Sequence, residues 1–190
     1  MTTVQAKPEL PAHPMTVDEY LAWAEENPGR YELVEGMVWA MSPERTSHAR
    51  VKFRVQQALA SGISRAGLPC EMLPDGMTVR VDDRTAYEPD ALVYCGSRNP
   101  PASVEVPMPV IVVEVLSPST QRHDVVGKLT GYFKVESVAH YLIVDSERQV
   151  LVHHARDGEG SIRTTILGGG SLRLDPPGLS LAVADLFAEP

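Results

Sequence analysis

Two acids stand where an apolar strand would otherwise run unbroken. Glu114 sits inside PVIVVEVL (109–116), between Val113 and Val115, and Asp90 follows Pro89 at the head of ALVYC. A carboxylate buried among β-branched residues costs several kcal/mol unless something compensates it. Taken singly, Asp90 reads equally well as a turn-favouring residue entering a strand, and Glu114 as one half of a buried ion pair with an arginine. Placed together on neighbouring strands, the two anions repel and raise each other's pKa unless a divalent cation lies between them. Hard oxygen donors favour magnesium or manganese, with waters completing the octahedron. The chemistry on offer is the binding of such a cation by two carboxylates.

The elements that must position these acids follow from local pattern. Thr16 and Glu19 have capping-box spacing ahead of a helix containing Tyr20, Leu21 and Trp23, which Asn27-Pro28-Gly29 ends. Residues 31–41 predict a β-hairpin turning on Glu35-Gly36. Ser42-Pro43 opens a helix over 44–66 with Val51, Val55 and Leu59 as its core stripe. That helix carries Arg45, Arg50, Lys52, Arg54 and Arg65 against Glu44. Such charge ordinarily solvates an outer face, so Arg50 and Arg54 are weak candidates for nucleic-acid contact. A second hairpin is expected over 69–81, turning at Asp75-Gly76, followed by the strand ALVYC and a loop. The β-branched run around Glu114 predicts a central strand covered on both faces. Val125, Leu129, Tyr132 and Phe133 have helical spacing, so a helix over 122–136 leads to the strand HYLIVD. VLVHH, SIRTTIL, GGGS and AVADLF are expected to extend the sheet.

Composition narrows the function. The chain has 190 residues and a net charge of −8, and reads as a flexible arm over 1–14 and one domain over 15–190. An acidic protein is poorly suited to coating nucleic acid, so any such contact must be local. No apolar run approaches the ~20 residues a membrane span needs, and the Pro-rich, polar start is unlike a signal peptide, which points to the cytoplasm. Cys70 and Cys95 lack metal-ligand spacing and are expected as buried, small apolar side chains rather than a disulfide. His153 and His154 alternate along a strand, which argues against a joint metal site.

Pro89-Asp90 followed by Glu114 resembles the PD-(D/E)XK nuclease superfamily. EVLSPST, then Asp124, Lys128 and Tyr132 at i, i+4, i+8, together with RYELVEG (30–36), resemble one branch of it, the Uma-two family of restriction endonuclease-like proteins. The similarity runs over about 15–145. It implies an α/β (α+β) restriction endonuclease-like core, a mixed β-sheet flanked by helices, with added β-hairpins. One departure stands out: the superfamily's lysine, expected two residues after Glu114, is replaced by Leu116. In the branch resembled here that lysine has moved to the following helix, which nominates Lys128.

The resemblance further implies an endonuclease that hydrolyses phosphodiester bonds in DNA with Mg2+ or Mn2+, and a homodimer. It assigns metal binding to Asp90, Glu114 and the Val115 backbone carbonyl, and catalysis to Asp90, Glu114, Lys128 and Glu32, with Glu35 second to Glu32. His48, Asp124 and Tyr132 would be accessory, and Arg122 a weak nucleic-acid contact beside Arg50 and Arg54. Two other readings compete: a catalytically inactive dimeric binding module on the same fold, and metal-free glycoside hydrolysis by the acid pair, which the lack of aromatic sugar platforms disfavours.

Overall fold

The computed structural model describes residues 9–116, 125–158 and 160–188. Helix α1 (Val17–Glu26) starts on the expected capping box, the Thr16 hydroxyl accepting from the Glu19 amide while the Glu19 carboxylate accepts from the Thr16 amide. Strands β1 (Tyr31–Val34) and β2 (Met37–Ala40) form the predicted hairpin. Glu35 and Gly36 both take positive φ, 51° and 85°, the turn geometry that matches the twist of paired strands. Helix α2 (Thr46–Ala66) buries Val51, Val55 and Leu59 as read from its spacing, and Lys52 as well, although it carries a charge.

Strands β3 (Cys70–Pro74), β4 (Val79–Asp82) and β5 (Thr85–Tyr87) overturn the second predicted hairpin. β3 and β4 lie in different sheets, and β4 instead reverses tightly onto β5. The physical reason is the charge at the supposed turn: the Asp75 carboxylate is tied to Lys52, at 2.9 Å, and to Arg30, so the chain leaves one sheet there instead of folding back. β5 joins β1, giving a small sheet in the order β2-β1-β5-β4.

Strand β6 (Ala91–Cys95) pairs antiparallel with β7 (Pro109–Leu116). Helix α3 (Val125–Tyr132) stops short of the predicted end, because Lys134 and Val135 donate to carbonyls three residues back and tighten the chain into turns. β8 (His140–Asp145) then lies parallel to β7, the strand–helix–strand unit expected, and β9 (Val150–Arg156) and β10 (Ile162–Leu167) extend the sheet antiparallel. The large sheet is ordered β10-β9-β8-β7-β6-β3. β11 (Ser171–Leu174) and β12 (Leu179–Ala182) do not extend it. They form a separate hairpin whose alternating leucines 172, 174, 179 and 181 cover α2, and the chain closes with a 3₁₀ turn, Val183–Leu186.

Alternation on β7 sorts the core. Ile111, Val113 and Val115 pack beneath α2, whereas Val112 belongs to the opposite layer, with Tyr87, Tyr132, Phe133 and Tyr141. Glu114 shares the parity of Val112. Cys70 and Cys95 face each other across β3 and β6 and form a disulfide, contrary to the sequence expectation, since their separation of 25 residues hides a direct cross-strand pairing. Among the described residues no helix is long and apolar enough to cross a membrane.

Candidate active site

The charge inside β7 is met from two elements distant in the chain. Lys128, one turn into α3, places its Nζ 2.9 Å from Glu114 Oε1 and 2.8 Å from Glu32 Oε1 of β1. Tyr132, one turn further and fully buried, donates its phenol to the same Glu114 oxygen at 2.7 Å. Glu32 Oε1 also accepts from the Glu88 amide, just past β5, at 3.0 Å. The small sheet thus contributes one carboxylate, the large sheet another, and α3 the cation between them. Lys128 and Tyr132 both converge on Oε1, so Glu114 Oε2 has no hydrogen-bond donor among the described residues.

Asp90 is gripped from the other side. Its amide donates to Val113 O, fixing the β6–β7 register, and its carboxylate Oδ2 accepts from the Val115 amide at 2.7 Å. α2 presents a polar stripe at i, i+4, i+8. The His48 Nε2–H donates to the Val115 carbonyl at 2.8 Å and lies 3.7 Å from Asp90 Oδ2, Lys52 Nζ lies 3.8 Å from Asp90 Oδ1, and Gln56 donates to the Asp90 carbonyl at 3.0 Å. Lys52 also binds Glu44 and Asp75, and Arg30 binds Glu44, Asp75 and Glu88.

Charge does not balance across this network. Among the described residues, six carboxylates (Glu32, Glu44, Asp75, Glu88, Asp90 and Glu114) face three full cations (Arg30, Lys52 and Lys128), an excess of three negative charges when all are ionised. Burial raises the pKa of Glu114, Glu32 and Asp90, with Lys128 pulling the other way on all three. Burial works against the Lys128 ammonium, but Glu114 and Glu32 more than offset it and hold its pKa above the usual lysine range. Burial and the Glu114 carboxylate keep the Tyr132 phenol protonated and donating.

Among the described residues no three His, Asp or Glu side chains form a ready-made metal cage. The donor set nonetheless fits a magnesium-like ion, which takes one or two carboxylates and keeps several waters. Asp90 and Glu114 lie next to the Ala91–Val113 pair on paired strands and act on each other electrostatically, and among the described residues the Glu114 Oε2 is undonated and the surrounding charge is in deficit of cations.

A family model described as "Putative restriction endonuclease" (Uma2) matches residues 17–184. The chain belongs to the Uma2 family. An uncharacterized protein of Synechocystis is 28% identical over 182 residues, covering 95% of each chain. A crystal structure of a "putative nuclease belonging to DUF820" from Anabaena variabilis superposes with a TM-score of 0.71 at 16% identity, covering 92% of this chain and 98% of that one. The restriction endonuclease-like fold expected from the resemblance is the fold of this Uma2 chain.

Of the residues nominated from sequence, Glu114, Lys128, Glu32 and Tyr132 form one hydrogen-bonded cluster in the Uma2 chain and Asp90, His48 and the Val115 carbonyl another, with Asp90 close enough to raise the Glu114 pKa and to feel the Lys128 charge. The acids meet at the ends of adjacent interior strands and not at a sheet edge. Glu35 sits in the hairpin turn, away from this cluster. Arg50 is exposed and Arg54 partly so, neither bonded to the site, while Asp124 and Arg122 lie outside the described residues. His153 bonds His140 and His154 bonds Thr164, separate partners as the alternation implied. Sequence reasoning missed Arg30, Lys52, Gln56, Asp75 and Glu88. The 48, 52, 56 spacing on α2 was the available signal, masked by counting Lys52 with an outer basic face.

Proposed function

We propose that this protein is a metal-dependent endonuclease that hydrolyses phosphodiester bonds, with DNA as substrate, through Asp90, Glu114, Lys128 and Glu32. The observation carrying this reading is the bridging ammonium: Lys128 holds Glu32 and Glu114 at 2.8 and 2.9 Å, so a cation from α3 takes the place of the lysine absent at Leu116. Membership of a family described by restriction endonucleases supports the substrate class.

In this reading Asp90 and Glu114 hold Mg2+ or Mn2+, with the Val115 carbonyl beside them. The ion, when bound, polarises a phosphoryl oxygen and lowers the pKa of a bound water. Asp90 is kept rigid by the Val115 amide, and the His48 ring fixes the carbonyl of the same residue. Tyr132 and Lys128 orient the Glu114 carboxylate by loading one oxygen. The Lys128 ammonium, kept protonated by its two acids, provides positive charge where negative charge develops on the phosphoryl group. Glu32 aims that ammonium.

The test is cleavage of supercoiled and linear DNA and of RNA with Mg2+ or Mn2+ against chelator, comparing wild type with Asp90→Ala and Lys128→Met. The reading expects metal-dependent cutting lost in both variants. Equal cutting by all three preparations refutes it.

A further inference from the structure

We infer that Tyr87 is a positioning residue for Lys128, an inference that rests on the nuclease reading for its catalytic consequence. Tyr87, the last residue of β5, is buried, and the Lys128 Nζ lies over its ring, 5.4 Å from the centroid. The ammonium therefore has a carboxylate on two sides, Glu32 and Glu114, and an aromatic face on a third, the arrangement in which a ring quadrupole attracts a cation. The same ring meets Tyr132 edge-on, with centroids 5.1 Å apart, so both α3 side chains that bond Glu114 rest against it.

Gly131 makes this approach possible. A Cβ there would fall 2.6 Å from Tyr87 Cε2 and 2.7 Å from its hydroxyl, so α3 lies against the ring only because position 131 has no side chain. The residue after Tyr87 completes the arrangement, since the Glu88 amide holds Glu32 Oε1. One short segment, 87–88, thus sets both the lysine and the carboxylate that aims it. The carboxylates supply the charge, and Tyr87 selects where between them the ammonium rests.

The chain has only four lysines, at 7, 52, 128 and 134, so protein labelled with 13C-lysine yields a spectrum in which the Lys128 ε-methylene is assigned by its loss in Lys128→Met. In wild type that signal is shifted upfield by the Tyr87 ring. Tyr87→Phe, which keeps the ring, keeps the signal upfield. Tyr87→Leu moves the signal downfield and lowers kcat about ten-fold with KM and Mn2+ affinity unchanged, whereas a merely structural role would lower the melting temperature and leave kcat alone. A Lys128 signal that stays put in folded Tyr87→Leu, or a moved signal with kcat retained, overturns the inference. Should Tyr87→Leu fail to fold, Gly131→Ala forces the ring aside and must shift the same signal, and an unmoved signal there overturns it equally. If wild type cuts no nucleic acid, the nuclease reading alone fails, and the resonance still decides whether Tyr87 holds Lys128.

Discussion

Replacing Lys128 with methionine separates two effects that ordinarily move together. The side chain fills similar space, but Glu32 and Glu114 lose the ammonium that holds them at 2.8 and 2.9 Å, and both carboxylates are 13–14% exposed. Removing one partner from a buried ion pair costs about 3–5 kcal/mol, because the remaining charge stays desolvated. The loss depends on pH with a definite sign. Both acids already have folded-state pKa values above their ordinary 4.5, and without Lys128 these rise further, so the folded variant takes up protons that the unfolded chain has released. Its stability therefore improves as pH falls toward that value. Lys128 itself titrates far above this range and contributes its full share to wild type throughout. The deficit of the variant is thus largest near pH 7 and smaller near pH 5, as read by urea unfolding in metal-free buffer at both values. Mn2+ titration by calorimetry at pH 7 should show tighter binding to the variant, since a neighbouring positive charge has gone, while cleavage falls about 10²–10³-fold. Equal stability at pH 7, or weaker Mn2+ binding, would refute the assignment of Lys128 as the compensating charge.

Asp90→Asn keeps an oxygen to accept from the Val115 amide, so the fold should survive while Mn2+ affinity falls at least about ten-fold; calorimetry and thermal melting together check this. Tyr132→Phe removes the donor to Glu114 at 2.7 Å and should cost about 1–3 kcal/mol by urea unfolding, with cleavage reduced less than in Lys128→Met. Burial holds the His153 pKa down to about 4, below its unfolded value of 6.5, so the stability it contributes is complete above pH 6.5 and is lost as pH falls toward 4. His153→Gln should flatten that acid loss by about 2 kcal/mol at pH 5, measured as the difference in unfolding free energy between pH 5 and pH 7.

The site was legible where chemistry and local pattern agreed. A carboxylate inside a β-branched run demands a partner whatever the topology, and the i, i+4 spacing of 128 and 132 named the face of the helix that supplies it. The Glu35-Gly36 hairpin was readable because a glycine between two apolar runs marks a turn that needs a positive φ, 85° at Gly36. Contacts between distant segments were not readable. Asp75-Gly76 looks like a hairpin turn until Lys52 and Arg30 hold its carboxylate, and the Cys70–Cys95 bond exists only because β3 and β6 pair across 25 residues. Lys52 misled for a related reason: a lysine in a basic helix is usually solvated, and only the fold brings Asp75 and Asp90 to it.

The central claim is that Asp90 and Glu114 jointly hold a divalent cation beside Lys128. Crystals soaked in Mn2+ and recorded at an X-ray energy just above the manganese absorption edge test it without reliance on activity. The account predicts an anomalous peak within bonding distance of both carboxylates, absent in Asp90→Ala. Manganese bound elsewhere, with Asp90 and Glu114 bare and Lys128 still bridging Glu32 and Glu114, would contradict it.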